Sequence, residues 1–158
     1  TLQACKTIMI LQADDDEEDQ MMTLRALQEG GVPVDVQTVN NGEELLAYLQ
    51  HNPPYTSENA PRPALILLDL NMPIMDGKEC LIRIKDDPIL RTIPVIVFTT
   101  SKSESEIQQI YNYGASAYLV KPVKYQDYVQ TLSSLKTFWL QTVSLPPFNA
   151  TKNNGLYG

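Results

Sequence analysis

The sequence predicts an α/β domain built on a five-stranded parallel sheet with helices on both faces. Two observations predict this fold: apolar runs alternate with segments of helical periodicity, and polar side chains stand directly after several of the apolar runs. Alternation of this kind favours a parallel sheet, because consecutive parallel strands are joined by right-handed crossover helices. The 158 residues, of which 43% are apolar, suit one globular domain.

Five segments have the composition of strands. The run ALILLDL is the most apolar in the chain, and IPVIVFTT is nearly continuous, so both are expected to be buried on both faces of the sheet. The run VDVQTV alternates and is rich in Val, which also indicates a strand. The expected strands are residues 6–13, 34–39, 64–70, 93–100 and 116–122.

Helical patterns fill the segments between these strands. Asn41 followed by Glu44 fits a capping box at the start of the second helix. The first helix is expected to place Met21, Leu24, Ala26 and Leu27 near one face and to end at Gly30-Gly31. The expected helices are residues 17–29, 41–50, 77–87, 103–114 and 125–143, with a proline-rich loop at 51–63 and an irregular tail after the last helix.

The charge of the chain is local and acidic. The net charge is −7, and nearly all of it comes from the six consecutive acids of residues 14–19. A chain without a basic stripe is not expected to bind nucleic acid. Cys5 and Cys80 are far apart and lack metal-ligand spacing, so we expect two free thiols. No run resembles a signal peptide or a membrane span, and we expect a cytoplasmic protein.

Chemically useful side chains stand where the expected strands end. Asp14 and Asp15 follow the first strand, Asp69 ends the third, Thr99 ends the fourth and Lys121 ends the fifth. The carboxyl ends of parallel strands share one rim of the sheet, where ligand sites form. Carboxylates suit Mg2+, and an Asp carboxylate can act as a nucleophile toward phosphorus. The rim therefore predicts Mg2+-assisted phosphoryl chemistry.

Four motifs, in order, give the chain a family resemblance. ILQADDD, LILLDLNMPIMDG, PVIVFTTS and GASAYLVKPV together resemble the receiver domain of two-component response regulators, over residues 6–140. The resemblance implies a flavodoxin-like, receiver-type fold. It also implies that Asp69 takes a phosphoryl group from a histidine kinase, as a signalling phosphoacceptor that assists its own phosphorylation and slowly removes the phosphoryl group.

The resemblance also assigns roles to other residues. It implies that Asp14, Asp15 and Asp69, with the backbone carbonyl of Asn71, hold Mg2+. Lys121 would pair with the phosphoryl group, and the output would be protein–protein contact.

The same resemblance implies a conformational switch. Thr99 would move toward the phosphoryl group and Tyr118 would turn inward behind it, although Tyr118 is also compatible with a plain core residue. Pro122 matches a position where the family often has a cis proline. Asp16 to Asp19 are interpreted only as a helix start, where acids are favoured.

The end of the chain suggests a partner and an assembly. PRPALILLDLN and FWLQTVSLPP resemble the small single-domain regulators that pair with cyanobacterial phytochromes, which implies a phytochrome-type kinase. Residues 141–158 are interpreted as a C-terminal extension. The apolar groups of the last helix and of this extension predict a homodimer, and folding back onto the same monomer is the alternative. The residues concerned are Phe138, Trp139, Leu140, Leu145 and Phe148.

Two other functions stay open at this point. A Mg2+-dependent phosphatase with an Asp nucleophile would use a similar rim, but it normally has a second Asp two residues on, where this chain has Asn71. A receiver that works only as a docking module, without phosphorylation, would not need the full set of rim residues. Measured Mg2+ affinity separates the docking module from a phosphoacceptor.

Overall fold

A computed structural model describes residues 7–29 and 32–148 and contains the expected parallel sheet. Its strands lie in the order β2-β1-β3-β4-β5, and every neighbouring pair is parallel. The five strands are β1 (Ile8–Ala13), β2 (Val34–Val39), β3 (Leu65–Leu68), β4 (Val95–Thr99) and β5 (Ala117–Val120). The predicted fold class is confirmed, with most strands shorter than their apolar runs by one or two residues at an end.

Five α-helices connect and follow the strands, as predicted. Four of them begin at a side chain that accepts a hydrogen bond from the first turn, which satisfies backbone N–H groups that have no partner within the helix. These N-caps are Asp16, Asn41, Asp76 and Ser103. The helices are α1 (Glu17–Gln28), α2 (Gly42–Gln50), α3 (Gly77–Asp86), α4 (Glu104–Asn112) and α5 (Tyr125–Leu135).

Two apolar cores lie on opposite faces of the sheet. Alternate residues of β3 supply both: Ile66 and Leu68 face the core that contains α2, α3 and α4, whereas Leu65 and Leu67 face the core that contains α1 and α5. All four side chains are buried, which explains the continuous apolar run in the sequence. Cys80 is a buried free thiol in the first core, as expected of a core residue, and burial raises its pKa to about 12.

The buried face of α1 differs from the predicted one. Ala26 and Leu27 are buried as expected, but Met21 is 56% exposed and Thr23 is buried instead. Thr23 can be buried because its hydroxyl lies 2.7 Å from the Tyr128 hydroxyl of α5, so neither group loses its hydrogen-bonding partner. The predicted helix end at Gly30-Gly31 and the thiol of Cys5 lie outside the described residues.

The long closing helix changes type partway along. The α-helical part ends at Leu135, and a π-helical segment, Lys136–Thr142, continues it. In this wider register Lys136 is buried and donates to the backbone carbonyl of Glu29, the residue that caps the end of α1. Trp139 and Leu140 pack against the same core as α1 and α5. The segment crosses the predicted boundary between residues 140 and 141.

Within residues 7–29 and 32–148, the helices lack the combination of length and apolar character that crossing a bilayer requires.

Candidate functional site

The buried ammonium group of Lys121 is the centre of the site. Lys121 follows β5, and its backbone N–H donates to the carbonyl of Thr99 at 2.7 Å, which fixes the residue beside the end of β4. Its Nζ atom donates to Asp14 Oδ2 at 2.6 Å and to Asp69 Oδ2 at 2.8 Å. Three residues separated by more than 50 positions along the chain therefore meet at one point on the carboxyl rim of the sheet.

The Asp69 carboxylate is held on both of its oxygens. Oδ2 contacts Lys121, while Oδ1 accepts from the Thr99 hydroxyl at 3.0 Å and from the Asn71 backbone N–H at 3.1 Å. Asp69 follows β3 directly, and Thr99 is the last residue of β4. The pairing of these two parallel strands thus places a carboxylate and a hydroxyl side by side.

The chain approaches Asp69 too closely to allow a side chain at position 77. A Cβ atom on Gly77 would lie 2.4 Å from the backbone carbonyl oxygen of Asp69 and 2.8 Å from the Cα of Leu70. Gly77 also donates its N–H to the Leu70 carbonyl at 3.0 Å. The glycine therefore lets the first turn of α3 close the loop that leaves Asp69.

Asp14, Asp15 and Asp69 form the group expected to hold a cation. One carboxylate oxygen from each residue lies within 4.8 Å of those of the others, with Asp14 and Asp69 buried and Asp15 exposed. An all-oxygen donor set with one exposed member fits Mg2+ or Mn2+, which prefer oxygen ligands and keep bound waters. These three side chains are therefore suited to a divalent cation.

Burial and charge shift the pKa values of the central pair in a consistent way. Desolvation raises the pKa of Asp14 from 3.8 to about 6, although hydrogen bonding to Lys121 acts in the opposite direction. For Lys121, burial acts to lower the pKa, but hydrogen bonds from the ammonium to three carboxylates outweigh it and raise the pKa. The site therefore keeps its ammonium charged, while burial makes the charged form of Asp14 costly.

Tyr118 is partly buried beside the loop that follows Thr99. Its ring packs against the core that contains α4, and its hydroxyl donates to the backbone carbonyl of Ser101 at 2.9 Å. Its backbone N–H donates to the hydroxyl of Tyr111 on α4 at 3.0 Å. Tyr118 is thus linked by a hydrogen bond to the loop after Thr99, and its role in a switch stays a prediction.

The expectation of a cis peptide bond before Pro122 is wrong. Among the residues that the structure describes, the cis bond lies between Pro53 and Pro54, and the Lys121–Pro122 bond is trans. Trans is the favoured isomer of an X–Pro bond unless its surroundings impose the other, and here Lys121 reaches the carboxylates with a trans bond.

Asp19 is a site residue that the sequence reasoning missed. Its carboxylate Oδ2 lies 2.8 Å from Lys121 Nζ, so the ammonium contacts three carboxylates rather than two. The sequence holds a signal for this contact, because position 19 shares a helical face with the buried residues Thr23, Ala26 and Leu27. Interpreting residues 16–19 only as a helix start overlooked that face.

The predicted dimer residues occupy different surroundings. Trp139 and Leu140 pack on the core of their own chain, and the Arg62 guanidinium carbon lies 3.8 Å from the ring centroid of Phe148. Leu145 is partly buried. Phe138 is 55% exposed and meets Trp139 edge to face at 5.8 Å. Folding back onto the monomer therefore accounts for several of these side chains, and of the five predicted dimer residues Phe138 keeps an exposed ring on the closing helix.

Comparison with known proteins agrees with this geometry. The family model of the response regulator receiver domain matches residues 10–133. Response regulator Rcp1 of Synechocystis sp. (strain PCC 6803) is 37% identical over 138 residues, which cover 87% of this chain and 92% of that protein. The probable methanogenesis regulatory protein FilR2 of Methanothrix harundinacea is 32% identical over 139 residues, 88% of each chain.

Solved structures of similar proteins share the fold. A phosphorylated cyanobacterial phytochrome response regulator, RcpA, superimposes with a TM-score of 0.85 at 39% identity, covering 90% of this chain and all of the other. The Mn2+-bound form of Rcp1 gives a TM-score of 0.83 at 36% identity, with 89% of this chain and 99% of that one covered. With its sheet order, its acidic rim and these matches, the chain belongs to the response regulator receiver domain family.

Proposed function

We propose that this protein is a phosphoacceptor response regulator that takes a phosphoryl group from a histidine kinase onto Asp69. The convergence of Lys121 on the Asp14 and Asp69 carboxylates, at 2.6 Å and 2.8 Å, is the observation that carries the proposal. It joins a nucleophile, a charge-neutralising ammonium and cation ligands in one buried place. Family membership supports the same role.

In the proposed reaction, one carboxylate oxygen of Asp69 attacks the phosphorus that a kinase histidine carries. A P–O bond forms, the P–N bond breaks, and its electron pair returns to the imidazole nitrogen of the donor. Asp14, Asp15 and Asp69, with the Asn71 carbonyl, would hold the divalent cation. When bound, Mg2+ supplies charge neutralisation for the phosphoryl oxygens.

The neighbouring side chains have defined tasks in this scheme. The Lys121 ammonium, already 2.8 Å from Asp69 Oδ2, pairs with the negative charge of the phosphoryl oxygens. The Thr99 hydroxyl, 3.0 Å from Asp69 Oδ1, moves its hydrogen bond to a phosphoryl oxygen. The Tyr118 hydroxyl is hydrogen-bonded to Ser101, in the loop that follows Thr99. A shift of Thr99 therefore changes the balance between two conformations of the face formed by α4, β5 and α5.

The relatives support a proposal for the partner and the compartment. RcpA is a cyanobacterial phytochrome response regulator, and its similarity to this protein extends over 90% of this chain and 100% of RcpA. We therefore propose a phytochrome-type histidine kinase as the phosphoryl donor, and the cytoplasm, where such kinase domains work, as the location. Phosphotransfer profiling against the kinases of the source organism tests this assignment: preferential labelling by a phytochrome-type kinase is expected, and preference for an unrelated kinase would reject it.

We expect Thr99→Ala to uncouple phosphorylation from the conformational change. The variant keeps Asp69, Lys121 and the cation ligands, so it should still accept a phosphoryl group from acetyl phosphate with Mg2+. It lacks the hydroxyl that follows the phosphoryl group, so NMR shift changes in α4 and β5 on phosphorylation should largely disappear. Thr100→Ala, at an exposed neighbour, is the control and should behave as wild type. Full α4 and β5 shifts in Thr99→Ala would contradict this role.

We expect Asp14→Asn to stabilise the protein when no divalent cation is present. A folded-state pKa of about 6 against 3.8 means that the free energy of unfolding falls as the pH rises through that window, with a penalty of about 3 kcal/mol above it. Because Asn stays neutral, the variant should gain about 1–3 kcal/mol at pH 7.5 in urea unfolding.

Asp15→Asn is the matched control for this prediction. Asp15 is exposed, so its substitution should change stability by less than about 0.5 kcal/mol. Both variants should lose Mg2+ affinity in calorimetric titration, since each removes a ligand. Equal stability of Asp14→Asn and wild type in buffer that contains a chelator would contradict the cost assigned to burying the charge of Asp14.

We also propose that two copies of the chain associate through the exposed side of the closing helix, around Phe138. The support is the aromatic ring of Phe138, which is 55% exposed, whereas the neighbouring side chains of Trp139 and Leu140 pack against the core of their own chain. Sedimentation velocity should give a dimer at high concentration for wild type and a monomer for Phe138→Ser. Phe148→Ser, whose ring contacts Arg62 of its own chain, is the control. A monomer mass of 17.8 kDa for wild type at every concentration, with and without phosphorylation, would exclude the dimer.

A further inference from the structure

Lys121 has one carboxylate partner with no other task in the proposed reaction. Asp14 is a cation ligand and Asp69 is the acceptor, so the chemistry changes the environment of both. Asp19 Oδ2 lies 2.8 Å from Lys121 Nζ, and its side chain is 23% exposed. Asp19 does not belong to the described group of carboxylates that converge within 4.8 Å, which consists of Asp14, Asp15 and Asp69.

The backbone of Asp19 is fixed from two sides. Its N–H donates to the carboxylate of Asp16 at 3.0 Å, as part of the cap of α1. Its carbonyl accepts from the Tyr128 hydroxyl at 3.3 Å, and that hydroxyl lies 2.7 Å from Thr23 Oγ1. Tyr128 is only 2% exposed and stacks in a tilted geometry on Phe98, with ring centroids 5.1 Å apart. The carboxylate of Asp19 therefore projects from a backbone that is held by α5 as well as by α1.

A fixed third carboxylate has a physical use. A lysine has a long flexible side chain. If its ammonium is free to leave the site, it is less often in place to pair with the phosphoryl group, and the rate of phosphoryl transfer falls. Once Asp69 carries the phosphoryl group and Asp14 binds a cation, both residues interact with these new groups. Their hydrogen bonds to Lys121 are then weaker. Asp19 takes part in neither change, so its charge-assisted hydrogen bond to Lys121 can persist through both.

We propose that Asp19 is a positioning residue that holds the Lys121 ammonium over Asp69 throughout the phosphoryl transfer. This inference rests on the proposed phosphoacceptor function. Asp19 acts through Lys121 and touches neither the cation nor the phosphoryl group. Tyr128 and Thr23 support it from behind, so the position of the ammonium is linked to the contact between α1 and α5.

The first measurement concerns the contact itself. In wild type, the side-chain 15N signal of the Lys121 ammonium should be observable by NMR and protected from exchange with water. Asp19→Asn should raise that exchange rate by roughly fivefold or more, because one charge-assisted hydrogen bond is lost. Glu18→Gln removes the same charge from an exposed neighbour in the same turn and should leave the rate unchanged.

The second measurement separates positioning from metal ligation. With acetyl phosphate and Mg2+, Asp19→Asn should lower the saturating rate of phosphorylation about tenfold, with the donor concentration for half-maximal rate little changed. Its Mg2+ affinity should stay within about twofold of wild type, whereas Asp15→Asn should lose it. Glu18→Gln should match wild type in both respects.

Three results would overturn the proposal. Unchanged exchange of the Lys121 ammonium in Asp19→Asn would show that the contact does not hold the lysine. A large loss of Mg2+ affinity would make Asp19 a cation ligand instead. An unchanged or faster phosphorylation rate would remove the positioning role. If wild type itself accepts no phosphoryl group, the proposed function fails, while the exchange measurement still decides whether Asp19 holds Lys121.

Discussion

Asp69→Asn is expected to abolish phosphorylation by acetyl phosphate and by histidine kinases. An amide oxygen is a poor nucleophile and cannot form the acyl phosphate, whereas Asn fills the same space. Its one amide oxygen can still accept from Lys121, and its amide N–H can donate to the Thr99 hydroxyl oxygen. The fold should therefore persist, with a circular dichroism spectrum and a melting profile close to those of wild type. Phosphoprotein formation is measured by intact mass after incubation with donor and Mg2+.

Asp76→Asn is the matched control for the acceptor substitution. Asp76 lies in the same loop, is exposed, and caps α3 by accepting from the Glu79 N–H at 3.0 Å, a task that Asn also performs. This variant should be phosphorylated at the wild-type rate. Stable phosphorylation of Asp69→Asn would contradict the assignment, and wild-type protein that binds no Mg2+ and accepts no phosphoryl group would favour a docking receiver.

Lys121→Met is expected to have the second large effect, on both stability and chemistry. Removing the ammonium leaves the buried carboxylates of Asp14 and Asp69 without their shared cation, and such a loss costs about 3–5 kcal/mol. Phosphorylation should slow by a factor of about a hundred or more, because the charge that faces the phosphoryl oxygens is gone.

The pH dependence of the variant provides a further check. In wild type the raised pKa of Lys121 means that the ion-pair contribution is fully present below pH 10.5 and is lost only as the pH rises through the folded-state pKa. In Lys121→Met, Asp14 loses the ammonium that lowers its pKa, so that pKa should rise further. The stability deficit should therefore shrink as the pH falls from 8 to 5 and a proton neutralises Asp14.

Lys102→Met, which removes an exposed charge, controls for net charge in both measurements. It should be phosphorylated and should unfold like wild type, since surface substitutions away from such a site change stability by less than about 0.5 kcal/mol. A Lys121→Met variant with wild-type stability and wild-type phosphorylation would contradict the central place given to this ammonium.

The fold and the main site were predictable because they depend on local pattern and chain order. The continuous apolar run before Asp69 indicated a buried central strand, and Leu65 to Leu68 do face two cores. Once the sheet was parallel, the residues that end its strands had to share a rim. The structure accordingly brings Lys121, Asp14 and Asp69 within hydrogen-bond distance.

The remaining features depend on contacts between elements that no local pattern reports. Asp19 reaches Lys121 only because α1 and α5 pack on the same face of the sheet, which also buries Thr23 against Tyr128. The π-helical segment begins at Lys136, the residue that donates to the Glu29 carbonyl at the end of α1. Helix propensity alone favoured one continuous α-helix, because it does not include this contact. The position of the Tyr118 hydroxyl likewise depends on the backbone carbonyl of Ser101.

The most direct test of the central claim is to locate the phosphoryl group after labelling. Wild-type protein phosphorylated by acetyl phosphate in Mg2+ is reduced with borohydride, which converts an aspartyl phosphate to homoserine, and is then digested and sequenced by mass spectrometry. The account predicts homoserine at position 69 and at no other Asp. Modification at Asp14, Asp15 or Asp76, or an unmodified Asp69 in labelled protein, would contradict it.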